Sequence, residues 1–166
     1  MTQYSVSICP VPEEQQPINE YQELQESWFF SWVRLDLQGY LRKLAWIWTW
    51  SWFLTGPLAA ASFAPDKSTW QFILCGSAGA GVFVTLTLLR LYLGWSYICN
   101  RLFRETIFYE ESGWYDGQTW VKPPEVLTRD RLIVSYQIKP IMLRLKRTFG
   151  ILLIMFLIGG VIWKFL

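Results

Sequence analysis

Leu44-Ala45-Trp46-Ile47-Trp48-Thr49-Trp50-Ser51-Trp52-Phe53-Leu54-Thr55-Gly56-Pro57-Leu58-Ala59-Ala60-Ala61-Ser62-Phe63-Ala64-Pro65 runs for 22 residues without a charge. Its four tryptophans recur at every second position, a strand-like period. Length decides against a strand. About 20 apolar residues at ~1.5 Å rise are needed to cross ~30 Å of hydrocarbon as a helix, and an open strand there leaves its backbone unpaired. On a helix the tryptophans become two pairs four residues apart, Trp46/Trp50 and Trp48/Trp52. Pro57 removes one helical hydrogen bond and is expected to kink the span.

Two further windows free of charge follow, Ser68 to Leu89 and Thr148 to Trp163. The chain has 166 residues, 52% hydrophobic and only 17% charged. Three apolar helices would leave a soluble protein of this size almost no sequence to cover them, so an all-α integral membrane protein with three transmembrane helices is expected. The segments are an arm and interfacial amphipathic helix (1–43), a first span (44–63), an outside loop (64–69), a second span (70–89), a cytoplasmic region (90–147) and a third span (148–166). The first residues are acidic and lack a basic, apolar leader. Neither a signal peptide nor a transit peptide is expected.

The short loop makes the first two spans an antiparallel hairpin. Reflection about residue 66 sets Gly56 level with Gly76, so Gly56-x-x-x-Ala60 and Gly76-x-x-x-Ala80 are expected to face one another in a close helix contact. By the same reflection Trp52 and Phe53 oppose Ala80 and Gly79.

Outside the spans, Asn19 is a candidate N-cap, with Tyr21, Leu24 and Trp28 spaced as one apolar stripe. Trp28-Phe29-Phe30-Ser31-Trp32-Val33 reads as a helix lying in the membrane interface, with a water-side packing face as the alternative. Helical period continues past Leu89. Arg90, Gly94, Tyr97, Arg101 and Arg104 share one face; Leu91, Trp95, Ile98 and Leu102 share another. A helix from about Trp70 to Arg104 would be ~50 Å long and must protrude, its Arg90, Arg101 and Arg104 reaching headgroups of membrane lipids. Thr106-Ile107-Phe108-Tyr109 has strand character. Asp116-Gly117 signals a two-residue hairpin turn between Trp114-Tyr115 and Gln118-Thr119-Trp120. An amphipathic helix from about Thr128 to Ile138 precedes a kink or new start at Pro140.

Thirteen of the 15 basic residues fall in segments 1–43 and 90–147, against Lys67 and Lys164 opposite. This asymmetry predicts an N-terminus on the cytoplasmic or stromal side and a C-terminus on the other.

Chemistry is sparsely signalled. Histidine is absent and the three cysteines, Cys9, Cys75 and Cys99, are scattered. No zinc site, disulfide framework or histidine base is therefore expected. Glu110, Glu111, Asp116, Glu125 and Asp130 form the only carboxylate cluster worth testing as acid, base or ligand, without the Glu-x-x-His spacing of di-iron bundles. No catalytic or metal-binding residue is assigned, and no nucleic-acid partner is expected. Glu110, Glu111, Trp114, Tyr115, Asp116, Trp120, Arg129 and Arg131 combine aromatic and arginine anchors beside a turn, the residue types that dominate partner contacts.

Cys9-Pro10-Val11-Pro12-Glu13-Glu14-Gln15-Gln16-Pro17 with Asn19-Glu20-Tyr21, and Gly56-Pro57-Leu58-Ala59-Ala60-Ala61-Ser62-Phe63, resemble a cyanobacterial and plastid membrane family. So do residues 89–97, 109–118, Arg129-Asp130-Arg131-Leu132, Tyr136-Gln137 and Lys139-Pro140. The family is that of hypothetical chloroplast reading frame thirty-six, whose nuclear relatives are described as conserved in the green lineage and diatoms. The resemblance implies a thylakoid or plastid membrane protein of oxygenic phototrophs. On that basis a non-enzymatic helper in the assembly or maintenance of a photosynthetic complex is expected. A pigment- or lipid-binding accessory subunit (a chlorophyll or carotenoid among the candidate cofactors) and a membrane enzyme using the carboxylate cluster are the alternatives.

Overall fold

The computed structural model describes residues 9–110 and 117–166. Asp36 starts the first long helix by accepting a hydrogen bond from the Gly39 amide at 3.2 Å, so α2 runs Leu37–Ser62, well before the expected Leu44. Loop residues 63–68 turn the chain into α3, Thr69–Phe103. α3 is the central element, with α2 antiparallel along it and α1 (Pro17–Glu26), α4 (Pro124–Ile133) and α5 (Lys139–Trp163) packed on its other sides. Between α3 and α4 stands an antiparallel hairpin of β1 (Thr106–Glu110) and β2 (Gly117–Val121), in register from Thr106 opposite Val121 to Glu110 opposite Gly117.

Several local expectations change. Gln16 holds the N-cap position of α1 without a side-chain capping bond, and Pro17 follows in the first turn. Proline there gives up only an amide that had no helical partner. Asn19 instead lies inside α1 and donates to the Glu13 carbonyl at 2.8 Å. The aromatic run after α1 is not a continuing helix. It is a turn and a short 3-10 segment, Ser31–Arg34, in which Trp32 stacks on Tyr40 at 5.5 Å and Val33 is fully buried. Only Trp28 stays largely exposed. Gly117 pairs with Glu110, so a two-residue Asp116-Gly117 turn is not what joins the strands. Residues 111–116 themselves lie outside the described residues.

α4 starts at Pro124, earlier than Thr128, and passes without a break through a π-turn at Val134–Ile138 into α5. Pro140 accounts for the π-turn. It lacks an amide proton and its ring crowds the carbonyl four residues back, that of Tyr136, and a widened turn relieves both.

Among the described residues, two helices are long and apolar enough to cross a membrane, α3 and the continuous rod Pro124–Trp163. α2 falls below that hydropathy because its four tryptophans, with Thr49, Ser51 and Thr55, count as weakly polar. Within α2 the tryptophans do pair four apart. Trp46 stacks on Trp50 at 6.2 Å and Trp48 meets Trp52 edge-on at 5.8 Å.

The three long helices are pinned at two levels. Tyr40 hydrogen-bonds Thr148 at 2.9 Å and Tyr92 meets Phe149 at 6.3 Å. Lys43, Arg90 and Arg147, each within three residues of those contacts, thus mark one level. Phe63 and Trp163, 5.3 Å apart, mark the other. Between the levels the helices expose Trp46, Phe53, Leu54, Leu58, Leu86, Leu153 and Leu157. The main core lies mostly beyond the charged level, where Leu91, Trp95 and Leu102 of α3, with Val33, Ile138 and Leu145, have no or almost no exposure. The arginine-bearing extension of α3 is therefore covered by α1, the 3-10 segment and the π-turn.

Candidate functional site

The end of α3 is built into a cap by one lysine. Lys122 follows β2, its amide donates to the Glu105 carbonyl at 2.9 Å, and its side chain is wholly buried. The ammonium donates to the carbonyls of Arg101 (3.2 Å) and Leu102 (3.0 Å) and to the Asp130 carboxylate (2.7 Å). Three donors meet three acceptors. Two of those acceptors are carbonyls of the last turn of α3, which have no partner within the helix. Asp130 also accepts from Arg129 at 3.2 Å. Hairpin, α3 and α4 thus converge on one buried ion pair.

The N-terminal arm closes the other side. Gln15 exchanges two hydrogen bonds with the backbone of Glu110, at 3.0 and 2.9 Å. Arg101 pairs with Glu20 at 2.8 Å and donates to the Tyr97 hydroxyl and the Gln15 carbonyl, each at 2.9 Å. Burial pushes the Glu20 carboxyl above its usual range, opposed by the Arg101 charge and assisted by that of Glu23. Further along, Arg144 donates to the carbonyls of Val33 (2.9 Å) and Leu35 (2.6 Å) while its guanidinium lies over the Tyr40 ring. The hydroxyl of Tyr21 donates to Gln137 in the π-turn.

Of the residues expected to meet a partner, Glu111, Trp114, Tyr115 and Asp116 lie outside the described residues. Trp120 faces inward, packed with Val11, Ile107 and Tyr109. Asp130 of the carboxylate cluster is buried in its ion pair rather than open to a ligand. Glu110 is exposed, Arg129 is half-exposed, and Arg131 pairs with Glu105 at 3.0 Å while lying over Phe103 at 5.3 Å. Strand alternation predicts which face these join. Ile107 and Tyr109 turn in, whereas Phe108 and Val121 turn out and are 60% and 67% exposed, far from the apolar belt. Sequence reading missed this outer face, although the period of two around Phe108 carries the signal. Among the three arginines expected at headgroups, Arg101 is consumed inside the cap, Arg90 lies over Phe30 at 5.9 Å, and Arg104 is exposed at the end of α3. Among the described residues, no group of three or more His, Cys, Asp and Glu could hold a metal ion.

A second feature lies in the apolar belt. Gly76 sits under the ring of Trp52, where an added Cβ would come within 2.6 Å of it, and Gly79 sits under Thr55 at 2.9 Å. The expected pairing of Gly56 with Gly76 is therefore displaced. Gly56 meets only Trp52 of its own helix, Ala60 is partly exposed, and Ala80 is fully buried. Where α2, α3 and α5 diverge, a cleft of about 760 Å³ opens, lined by Trp48, Ala59, Ala78, Gly159, Gly160 and Trp163 among others.

The chain is 48% identical over 143 residues to the chloroplastic protein Conserved in the Green Lineage and Diatoms 27 of Arabidopsis thaliana, covering 86% of this chain and 44% of that protein. It therefore spans less than half of that relative's length. It is 44% identical to the uncharacterized protein ycf36 of Porphyra purpurea, covering 89% of each chain. With the ycf36 protein of Cyanophora paradoxa the identity is 45%, over 89% of this chain and 93% of the relative. No solved structure matches. Residues 9–151 match the family described as CGLD27-like, Conserved in the green lineage and diatoms 27, and the chain belongs to that family.

Proposed function

We propose that the chain is a non-enzymatic, three-span protein of a plastid or thylakoid membrane that helps assemble or maintain a photosynthetic complex. The observation that carries the reading is the outer face of the cap. Phe108, Val121 and Phe103 are exposed beyond the belt, on a base made rigid by Lys122, with Arg131 lying over Phe103. Large apolar side chains exposed on a fixed surface beside arginine fit a protein partner. The two pinned levels and the apolar surface between them support α2 as the third span, with Trp46 and Trp50 facing lipid. With three spans, the excess of lysine and arginine puts the cap and N-terminus on the stromal or cytoplasmic side and the C-terminus opposite. The chloroplastic name of the Arabidopsis relative supports the plastid.

Affinity purification from solubilised thylakoids tests this. Photosystem or chlorophyll-biosynthesis subunits should co-purify at low abundance, as suits a transient helper. Phe108→Ala with Arg131→Ala should lose them while membrane insertion is kept. An eluate of unrelated transport or respiratory subunits, or one unchanged in the double variant, refutes the reading.

A second reading, a pigment- or lipid-binding accessory subunit, is favoured by the cleft between α2, α3 and α5. An absorbance spectrum of the gently purified protein separates bound pigment from a colourless lipid.

A further inference from the structure

The glycines of α3 and α5 divide into two kinds. Gly76, Gly79, Gly81 and Gly94 are each covered by a side chain, and an added Cβ would come within 3.0 Å of Trp52, Thr55, Phe156 and Phe30 respectively. Packing explains these four. At Gly159 and Gly160 an added Cβ meets nothing within 4 Å, yet both line the cleft. Glycine is the least favourable helix residue after proline, so two in succession facing open space need a reason that the chain's own packing does not supply. Gly150 is equally uncovered but lies outside the cleft.

The cleft has a defined depth and one charged end. Along α5 it reaches from Leu152 to Trp163, a span of about 17 Å at helical rise. That is close to half of the ~30 Å hydrocarbon thickness, or one leaflet. Its end lies at the level of Phe63 and Trp163, where Lys164 is the next residue, still in helical backbone geometry. Residues four apart share a helix face, so Lys164 stands one turn beyond Gly160 and directly after Trp163 of the cleft lining. The neighbouring loop contributes Asp66 and Lys67, whose charges offset one another. Lys164 adds a further cation at this level.

We infer that the cleft holds one acyl chain of an anionic lipid from the leaflet opposite the cap, seated against Gly159 and Gly160 with its headgroup at Lys164. The inference deepens the lipid-binding reading and rests on α2 being a span, since α2 forms one wall. Its lining is almost entirely apolar, with Trp48 and Trp163 as the broad surfaces, and its volume suits one flexible chain rather than water. The cation selects the head, and the uncovered glycines admit the chain.

The test uses the full chain reconstituted into vesicles of equal phosphatidylglycerol and phosphatidylcholine, re-extracted in mild detergent and weighed by native mass spectrometry. The parent should retain one phosphatidylglycerol per chain, at roughly tenfold preference over phosphatidylcholine. Gly160→Leu places its Cβ in open space and its side chain in the cleft, and should cut retention at least about tenfold while melting at or above the parent temperature. Lys164→Gln should keep a bound lipid but lose the preference. Undiminished retention in Gly160→Leu, equal retention of the two lipids by the parent, or a parent dimer that Gly160→Leu dissociates would each overturn the inference, the last by placing a second copy in the cleft. Failure to insert into the vesicles overturns the membrane reading as well, whereas insertion without retained lipid sinks this inference alone.

Discussion

Lys122→Met removes one ammonium and leaves three acceptors. The side chain is wholly buried, its partner Asp130 is 2% exposed, and the pair is 2.7 Å apart. Breaking a buried pair by deleting one partner costs about 3–5 kcal/mol, because the other charge stays behind unpaired. Here Arg129 remains 3.2 Å from Asp130, which moves the ion-pair loss toward the lower end. The carbonyls of Arg101 and Leu102 lose their donor too, at about 1–3 kcal/mol for each that stays buried. Relaxation of the helix end should recover part of this, so a cap destabilised by about 3–5 kcal/mol is expected. At ~1.4 kcal/mol per factor of ten, amides of β1 and β2 should then exchange with solvent roughly two to four orders of magnitude faster. Hydrogen exchange read by mass spectrometry on the detergent-purified protein resolves the hairpin peptides from those of the spans, whose rates should not change. The double variant Lys122→Met with Asp130→Leu should cost less than the sum of its singles, since no charge is left stranded. Acceleration below about fivefold in Lys122→Met, equivalent to ~1 kcal/mol, would refute the ion pair as the anchor of the cap.

Gly76→Ala should destabilise the α2–α3 contact by about 1–3 kcal/mol, because its Cβ falls 2.6 Å from the Trp52 ring. Gly160→Ala, with open space, should instead stabilise by up to about 1 kcal/mol; melting in detergent checks both, and equal effects would refute the packing. Glu20→Gln probes the raised carboxyl. A folded pKa above the unfolded one gives a contribution present at acid pH and lost as pH rises through the folded value. The parent should therefore gain stability relative to Glu20→Gln on acidification toward pH 4.5, measured as the difference in melting temperature across pH. A gap that moves the other way would show that the Arg101 pair outweighs burial. Reporter fusions at Gly117 and after Leu166 should report opposite compartments, and identical ones would exclude three crossings.

The long helices were legible because their signals are one-dimensional. The protruding α3 follows from Leu91, Trp95, Ile98 and Leu102 recurring at helical spacing, and all four are buried. Asp36, by contrast, was read past. The charges at Arg42 and Lys43 marked where the apolar window begins, whereas a helix starts where its first amides find an acceptor, and Asp36 supplies one for Gly39. The Trp28–Val33 run misled for a related reason. An aromatic cluster is attractive to a membrane interface and to a protein core alike, and only the position of Tyr40 and α3 decides that Trp32 and Val33 go inward.

The cap and the cleft were less legible, since both depend on which residues from distant segments share a level. Lys122 and Asp130 are each unremarkable as single letters. What joins them is the hairpin, which returns residue 122 beside the end of α3 just where its last carbonyls lack partners. The helix hairpin shows the same limit more sharply. Reflection about residue 66 set Gly56 against Gly76, but it levels backbones and takes no account of how far a large side chain reaches. Trp52, a full turn before Gly56, is the residue whose ring covers Gly76. A depth argument made from Cα positions is thus shifted by about one turn when the contacting group is as large as an indole. The same reach of large rings bears on the cleft. With Trp52 resting on Gly76 and Phe156 on Gly81, the broad rings near the middle of the bundle are already seated, and the space left toward Trp163 is bounded by Gly159 and Gly160, with no ring among the described residues over them.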